Sequence, residues 1–373
     1  MKILAITPGK QTAVSYFRFM LPFNNIIWNN RAAAVCLPYY QIDFDKIEQT
    51  DFDVIHIHST LLLIPELVDK LLKVKSVLGI DYDDYWEIPK TNPHKKHFEG
   101  FDILTAKYLP KFDFVTTTTK LLAKEIKRYN KNVYILPNFT DKLITQFNYT
   151  YKPSSRLRVG LITGASHSAD VELLDGLIPK LGDYNSVIQW VLGGFNVGSE
   201  PMTSPYVYYE RILTGDYDLV DRNYELFLKR YEEGEYPYDE QYKRIWSKDI
   251  DNYGVMFQDV DVILAPLVDN KFNSMKSELK IIEAGTFGKV FIGSNVGIYK
   301  EKIKNGETGF LCNRMEDFAK NIKRLVNEDG LYKKLQRNLF DEIKNKYDAD
   351  YWADKRVECY ERESRNKEAI NKR

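Results

Sequence analysis

The sequence is poor in several things, each of which would have named a class of protein. Its 373 residues hold three cysteines, Cys36, Cys312 and Cys359, far apart and without a CxxC or a histidine cluster. That argues against a disulfide scaffold or a zinc ribbon and reads as the reduced thiols of a cytoplasmic chain. Net charge is absent, with 53 basic against 53 acidic residues, so nothing in the total favours nucleic acid or an acidic membrane surface. No apolar run approaches a membrane span, and MKILAITPG breaks at Pro8-Gly9, too early for a signal peptide. GKQT lacks the preceding glycine of a Walker phosphate loop. Without a secretory signal, the sequon Asn148-Tyr149-Thr150 is a chance match.

What is present is core. The chain is 44% hydrophobic and 14% aromatic, and its length exceeds what one core usually fills, so two domains are expected. KILAIT, AAAVCLPY, DFDVIHIHST, SVLGI, FDFVTTTT and NVYIL read as strands separated by helical segments. The pattern restarts with LRVGLITG, VIQWVLGGF, VDVILAP and KVFIGS. Short apolar runs rich in β-branched residues suit parallel strands buried on both faces. The predicted fold is α/β, two Rossmann-like doubly wound domains with a cleft between them and a helical C-terminus. The boundaries expected are an N-terminal domain over 1–140, a linker over 141–155 and a second domain over 156–345. That second domain carries a Tyr-rich insertion near 196–243, which includes the helical YELFLKRYEE. A C-terminal helix over 346–373 is expected to pack back on the first domain, with its tail frayed beyond Arg365.

The candidate chemistry lies at strand carboxyl ends, where doubly wound sheets bind ligands. After VDVILAP, a helix is expected to begin at Lys276 or Ser277. Its free backbone N–H groups and dipole would welcome a phosphate, with Lys280 and Glu283 one and two turns on. Glu283 suits paired sugar hydroxyls, and Gly285 and Gly288 let another group approach. The plain alternative is a solvated helix face of an ordinary βαβ unit. The loop Gly164-Ala165-Ser166-His167-Ser168-Ala169-Asp170 has the same form, with a helix from Val171 that Asp170 would cap. In the first half, Arg18 opens a helix over Val14 to Asn29, and His58 closes a strand. Each is a candidate contact on the acceptor side, against a surface arginine and a structural histidine as the plain readings. SVLGI runs into Asp81-Tyr82-Asp83-Asp84, whose carboxylates need a cation, a donor-rich substrate or open water. Metal ligation and turn capping are the alternatives there.

DVILAPL, then FNSMKSELKIIEAGTFGKVFIGS, then GETGFL resembles the donor-binding region of retaining nucleotide-sugar glycosyltransferases with the GT-B architecture. DVIHIHS and ILPNFTD resemble the matching N-domain strand and interdomain segment, and DYDD resembles a bacterial and phage subgroup. The resemblance implies that Glu283 is the second glutamate of the family's paired motif and holds the donor ribose. The first glutamate would fall at Met275. The basic residues that usually bind the diphosphate after the second domain's first strand are missing too. Lys276, Ser277, Lys280 and His167, with Gly164 and Ser166, are therefore expected to serve the donor. Where many relatives carry a histidine near the reacting sugar, this chain has Asp81. With Asp83 and Asp84 it is expected to be catalytic, as a base, a ligand for an acceptor hydroxyl or an orienting group. The implied enzyme moves a sugar from a UDP- or GDP-linked donor to an acceptor hydroxyl, with retention and without metal or other cofactor. The acceptor could be a glycan, a lipid-linked glycan, a protein or modified DNA. A DNA-modifying transferase acting on hydroxymethylated bases and a non-catalytic nucleotide-sugar-binding protein are the alternatives.

Overall fold

The computed structural model describes residues 1–10, 12–148, 152–195, 205–217, 241–246 and 248–371. Two six-stranded sheets organise them. The first holds β1 (Lys2–Thr7), β2 (Ala33–Pro38), β3 (Val54–His58), β4 (Val77–Tyr82), β5 (Phe114–Thr117) and β6 (Val133–Ile135) in the order β2-β1-β3-β4-β5-β6. The second holds β7 (Leu157–Ile162), β8 (Ile188–Phe195), β9 (Tyr242–Trp246), β10 (Val262–Ala265), β11 (Val290–Ser294) and β12 (Phe310–Cys312) in the order β12-β11-β10-β7-β8-β9. Every strand pair is parallel. The strand order reverses between β1 and β3 in one sheet and between β7 and β10 in the other. Those reversals open crevices at the carboxyl ends. β3, β4 and β10 are buried along their whole length; β10 therefore reads as an unbroken apolar run, while β3 and β4 carry His56, His58 and Asp81 into the buried sheet with hydrogen-bonded partners. The edge strand β9 escaped the sequence pattern, because YKRIW mixes charge with apolar residues.

Several helices differ from the sequence expectation. The first runs from Ala13 to Trp28, with Thr12 as its cap (3.2 Å to the Ser15 N–H) and a π-helical turn over Tyr16–Met20 that contains Arg18. The helix after β7 starts at Ser168 rather than Val171 and is only four residues long, Ser168–Val171. Asp170 lies inside it and does not cap it. After β10, a short turn Lys271–Ser274 and an open stretch precede the helix Leu279–Thr286. Lys276 and Ser277 thus sit before the helix instead of in its first turn. Gly288, at φ +58°, ends it in the left-handed conformation that glycine adopts without strain. The close approach allowed by Gly285 is filled by protein. A Cβ there would stand 2.2 Å from Ile343 of the helix Leu331–Lys346.

The chain ends in the helices Met315–Asn327, Leu331–Lys346 and Ala349–Asn371. The last lies against the first sheet, where Cys359 and Tyr360 join the core of Ile3, Phe19 and Phe114. It continues to Asn371 rather than fraying after Arg365, because Lys367 reaches the Ser76 carbonyl (2.8 Å) and Asp113 (2.9 Å). Of the Tyr-rich insertion, the helix Pro205–Thr214 is described. YELFLKRYEE lies outside the described residues, as do Tyr149 and Thr150 of the sequon. No described helix is long and apolar enough to cross a membrane.

Candidate active site

The N-domain wall of the cleft is built where β3 and β4 end. His58 is buried and shares a proton between Nε2 and Asp83 at 3.0 Å. In the neutral ring the Thr60 backbone N–H donates to Nδ1 at 3.3 Å and the ring proton lies on Nε2, toward Asp83. Burial alone would lower the His58 pKa, but the charge and hydrogen bond of Asp83 outweigh it and raise it. Asp84 is half-buried, and among the described residues nothing hydrogen-bonds its carboxylate. Burial raises its pKa; Asp83 adds to the rise, and Lys276, His167 and His58 oppose it. A carboxyl so placed is available to a ligand.

Asp81 and Arg18 are placed otherwise than the sequence suggested. Neither reaches solvent. Arg18 donates to Asp81 through Nε at 2.9 Å and Nη2 at 2.8 Å, and the Thr116 hydroxyl donates to the same carboxylate. Burial raises the Asp81 pKa, yet the guanidinium overrides it and holds the group well below the usual carboxylate range. Such an anion has no tendency to accept a proton and no path to an acceptor. Of the roles open to Asp81, orienting a neighbour is the one this geometry permits. Arg18, expected to face the cleft, is instead spent on Asp81, the Leu136 carbonyl (2.8 Å) and Asn138 Oδ1 (3.0 Å). With Asp81 drawn to Arg18 and Asp83 to His58, the acidic run does not converge on a point. Among the described residues, no group of three His, Cys, Asp or Glu side chains is arranged to hold a metal ion.

The opposite wall comes from the loops after β7 and β10. A Cβ at Gly164 would meet nothing nearer than the Ser166 hydroxyl at 3.9 Å, so the space before this backbone is open. His167 Nδ1 lies 2.8 Å from Asp170 Oδ2. Burial lowers the His167 pKa, and Lys276 lowers it further. The other Asp170 oxygen accepts from the Val268 N–H (2.9 Å) and Asn273 Nδ2 (2.7 Å). Asp170 therefore ties the two loops together instead of capping its helix. Glu283 is only 2% exposed and accepts from Tyr253 at 3.0 Å and from Lys280 at 2.7 Å. The open side of this pair is Lys280, 28% exposed. Two hydrogen bonds leave a carboxylate about two further lone pairs for a diol.

The segment between β10 and the helix Leu279–Thr286 brings the walls together. Phe272 and Met275 are buried in the core of the first domain, with Tyr85, Trp86 and Leu122. Lys271 donates to the Tyr85 hydroxyl and pairs with Glu125 at 3.1 Å. Thr119 donates to the Met275 carbonyl at 3.4 Å, and Asn138 Nδ2 to Ser277 Oγ at 3.1 Å. Pro89, Thr91 and Asn92 of the first domain line a small cavity with Ser166 and Lys276 of the second. Met275, where the sequence resemblance would place a first glutamate, is an apolar anchor between the domains. Asn138, Tyr253 and the 85–92 loop carried no sequence signal for this role. Asn138 read only as part of the interdomain segment ILPNFTD.

Residues 279–341, which begin at the helix bearing Glu283, match the family described as Glycosyl transferases group 1. The chain is a glycosyltransferase. Its fold is GT-B, as solved structures of low sequence identity show. The enzyme is similar to HepE from Anabaena in complex with UDP-glucose (TM-score 0.63, 14% identity, covering 96% of this chain and 98% of that one). It is similar also to sucrose-phosphate synthase from Thermosynechococcus elongatus (0.68, 14%, 97% and 99%) and to a glycosyltransferase from Rickettsia africae (0.64, 15%, 97% and 98%). No curated protein sequence matches this enzyme.

Proposed function

We propose that the enzyme transfers a sugar from a UDP-linked donor to an acceptor hydroxyl, with retention and without a metal. The observation that carries this reading is the small cavity in which Thr91 and Asn92 of the first domain meet Ser166, Asp170 and Lys276 of the second, with Asp84 near enough to Lys276 to feel its charge. Lys276, Lys280 and the backbone N–H groups before Leu279 suit a diphosphate leaving group, whose charge they would neutralise in place of a cation. Glu283 would accept from the ribose hydroxyls, and the complex of HepE with UDP-glucose supports a uridine nucleotide in a fold of this kind. With Asp81 sealed against Arg18, the cleft offers Asp84 rather than Asp81 to the reacting sugar or the acceptor hydroxyl. Retention then fits attack on the donor's leaving-group side, where the departing phosphate takes the acceptor proton.

The test is calorimetric titration with UDP-glucose, alongside donor hydrolysis followed as UDP release. Binding that falls about tenfold or more in Glu283→Ala supports the site, as expected when a hydrogen bond to a charged group is lost. Unchanged binding removes the assignment. Tight binding without any hydrolysis or transfer favours a nucleotide-sugar-binding protein instead.

A further inference from the structure

Arg18, Asn138 and Ser277 form a line of hydrogen bonds that crosses from one domain to the other. Arg18 Nη1 donates to Asn138 Oδ1 at 3.0 Å, and Asn138 Nδ2 donates to Ser277 Oγ at 3.1 Å. The direction of the line is set by chemistry. A guanidinium has only donors, so the amide must turn its oxygen to Arg18 and its NH₂ to Ser277. The serine oxygen is then an acceptor, and its own proton is left to point elsewhere. Ser277 is partly exposed beside Lys276, in the open stretch before the helix Leu279–Thr286. Asn138 is buried, and the Asp81 carboxylate holds the guanidinium from its far side.

We infer that Asn138 is a positioning residue, which fixes the Ser277 hydroxyl as a proton donor toward the leaving phosphate of the nucleotide. The inference rests on the donor site proposed above. It assigns a function to the sealed Arg18–Asp81 pair as well: the pair sets the polarity of the amide and so the polarity of the serine. Because Asn138 belongs to the segment between the domains and Ser277 to the second domain, the hydroxyl is oriented only while the domains are in contact. Donor binding and domain contact would be linked through this one hydrogen bond.

The polarity argument separates two substitutions of similar shape. N138D keeps an acceptor for Arg18 but buries a second carboxylate beside that of Asp81, so its urea midpoint is measured as well, and S277A carries the test if that midpoint falls. A carboxylate has no donor for Ser277, however, and takes the serine proton for itself. UDP affinity, measured by calorimetry at fixed salt, is expected to fall about tenfold or more in N138D and in S277A. The double variant N138D/S277A should bind no more weakly than N138D alone, because both changes remove the same hydroxyl donor. N138D combined with Glu283→Ala, which acts at the ribose end, should show additive losses. Wild-type UDP affinity in N138D, or additive losses in N138D/S277A, overturns the inference while leaving the donor site standing. Failure of the wild-type enzyme to bind UDP, or unchanged affinity in Glu283→Ala, overturns the donor site and this inference with it.

Discussion

Arg18 and Asp81 form a two-pronged ion pair, at 2.9 and 2.8 Å, from which solvent is excluded on both sides. Desolvating two charges costs several kcal/mol, and the pair recovers this only because Leu136, Asn138 and Thr116 satisfy the remaining groups. Removing one partner is worse than never having the pair. Arg18→Met strands a buried carboxylate and should destabilise the fold by about 3–5 kcal/mol, read as a lower urea midpoint. If Asp81 were the base instead, Asp81→Asn would abolish turnover with the midpoint unchanged. Loss of stability is the outcome expected.

Met275 is 8% exposed and packs in the first domain's core. Met275→Glu would place a glutamate where the sequence resemblance expects one but bury a carboxylate among apolar side chains. The variant should lose at least about 2 kcal/mol of stability and gain no activity. Differential scanning calorimetry together with turnover decides the point, and a faster enzyme of unchanged melting temperature would count against the packing argument.

Asp84 is half-buried and has no hydrogen-bond partner among the described residues. Asp84→Asn keeps its size and removes its charge. Turnover should fall by about 100-fold, as when a positioned carboxylate is lost from a reacting centre, while UDP affinity changes by less than about twofold. Equal losses in both would place Asp84 at the nucleotide instead.

His56 sits under the same sheet, bonded to Tyr360 at 2.8 Å and Thr116 at 3.1 Å. Burial pushes its pKa down from the ordinary 6.5 to about 3 against the pull of Asp81. Between those values the unfolded chain binds a proton that the folded chain refuses, so stability falls as the pH drops through that window. At pH 5 the loss from this residue is roughly 2 kcal/mol relative to pH 7. Unfolding free energies from urea titrations at the two pH values should differ by about that much more in the wild type than in His56→Gln. An unchanged difference would assign the acid sensitivity elsewhere.

The strands were legible because a parallel strand covered on both faces is largely apolar, and VILA shows this without any partner in view. Glu283 and Lys280 were legible for a related reason. They share one helix, so their spacing of three residues already implies the contact at 2.7 Å. Helix starts were less so. The open stretch over 275–278 depends on Phe272 and Met275 inserting into another domain, and no local pattern announces that.

The sequence by itself determined the two α/β domains, the helical C-terminus and the donor-side motif, since all three depend on periodicity or on neighbours in the chain. Tertiary structure alone decided which acidic residue is left without a hydrogen bond. Asp81, Asp83 and Asp84 lie within four positions of one another, yet Arg18 claims the first, His58 the second, and only the third is left for a ligand. Those partners lie 63 and 25 residues away. A carboxylate's role follows from the charge beside it, and that charge is placed by the packing of whole elements rather than by the residues next to it in the chain.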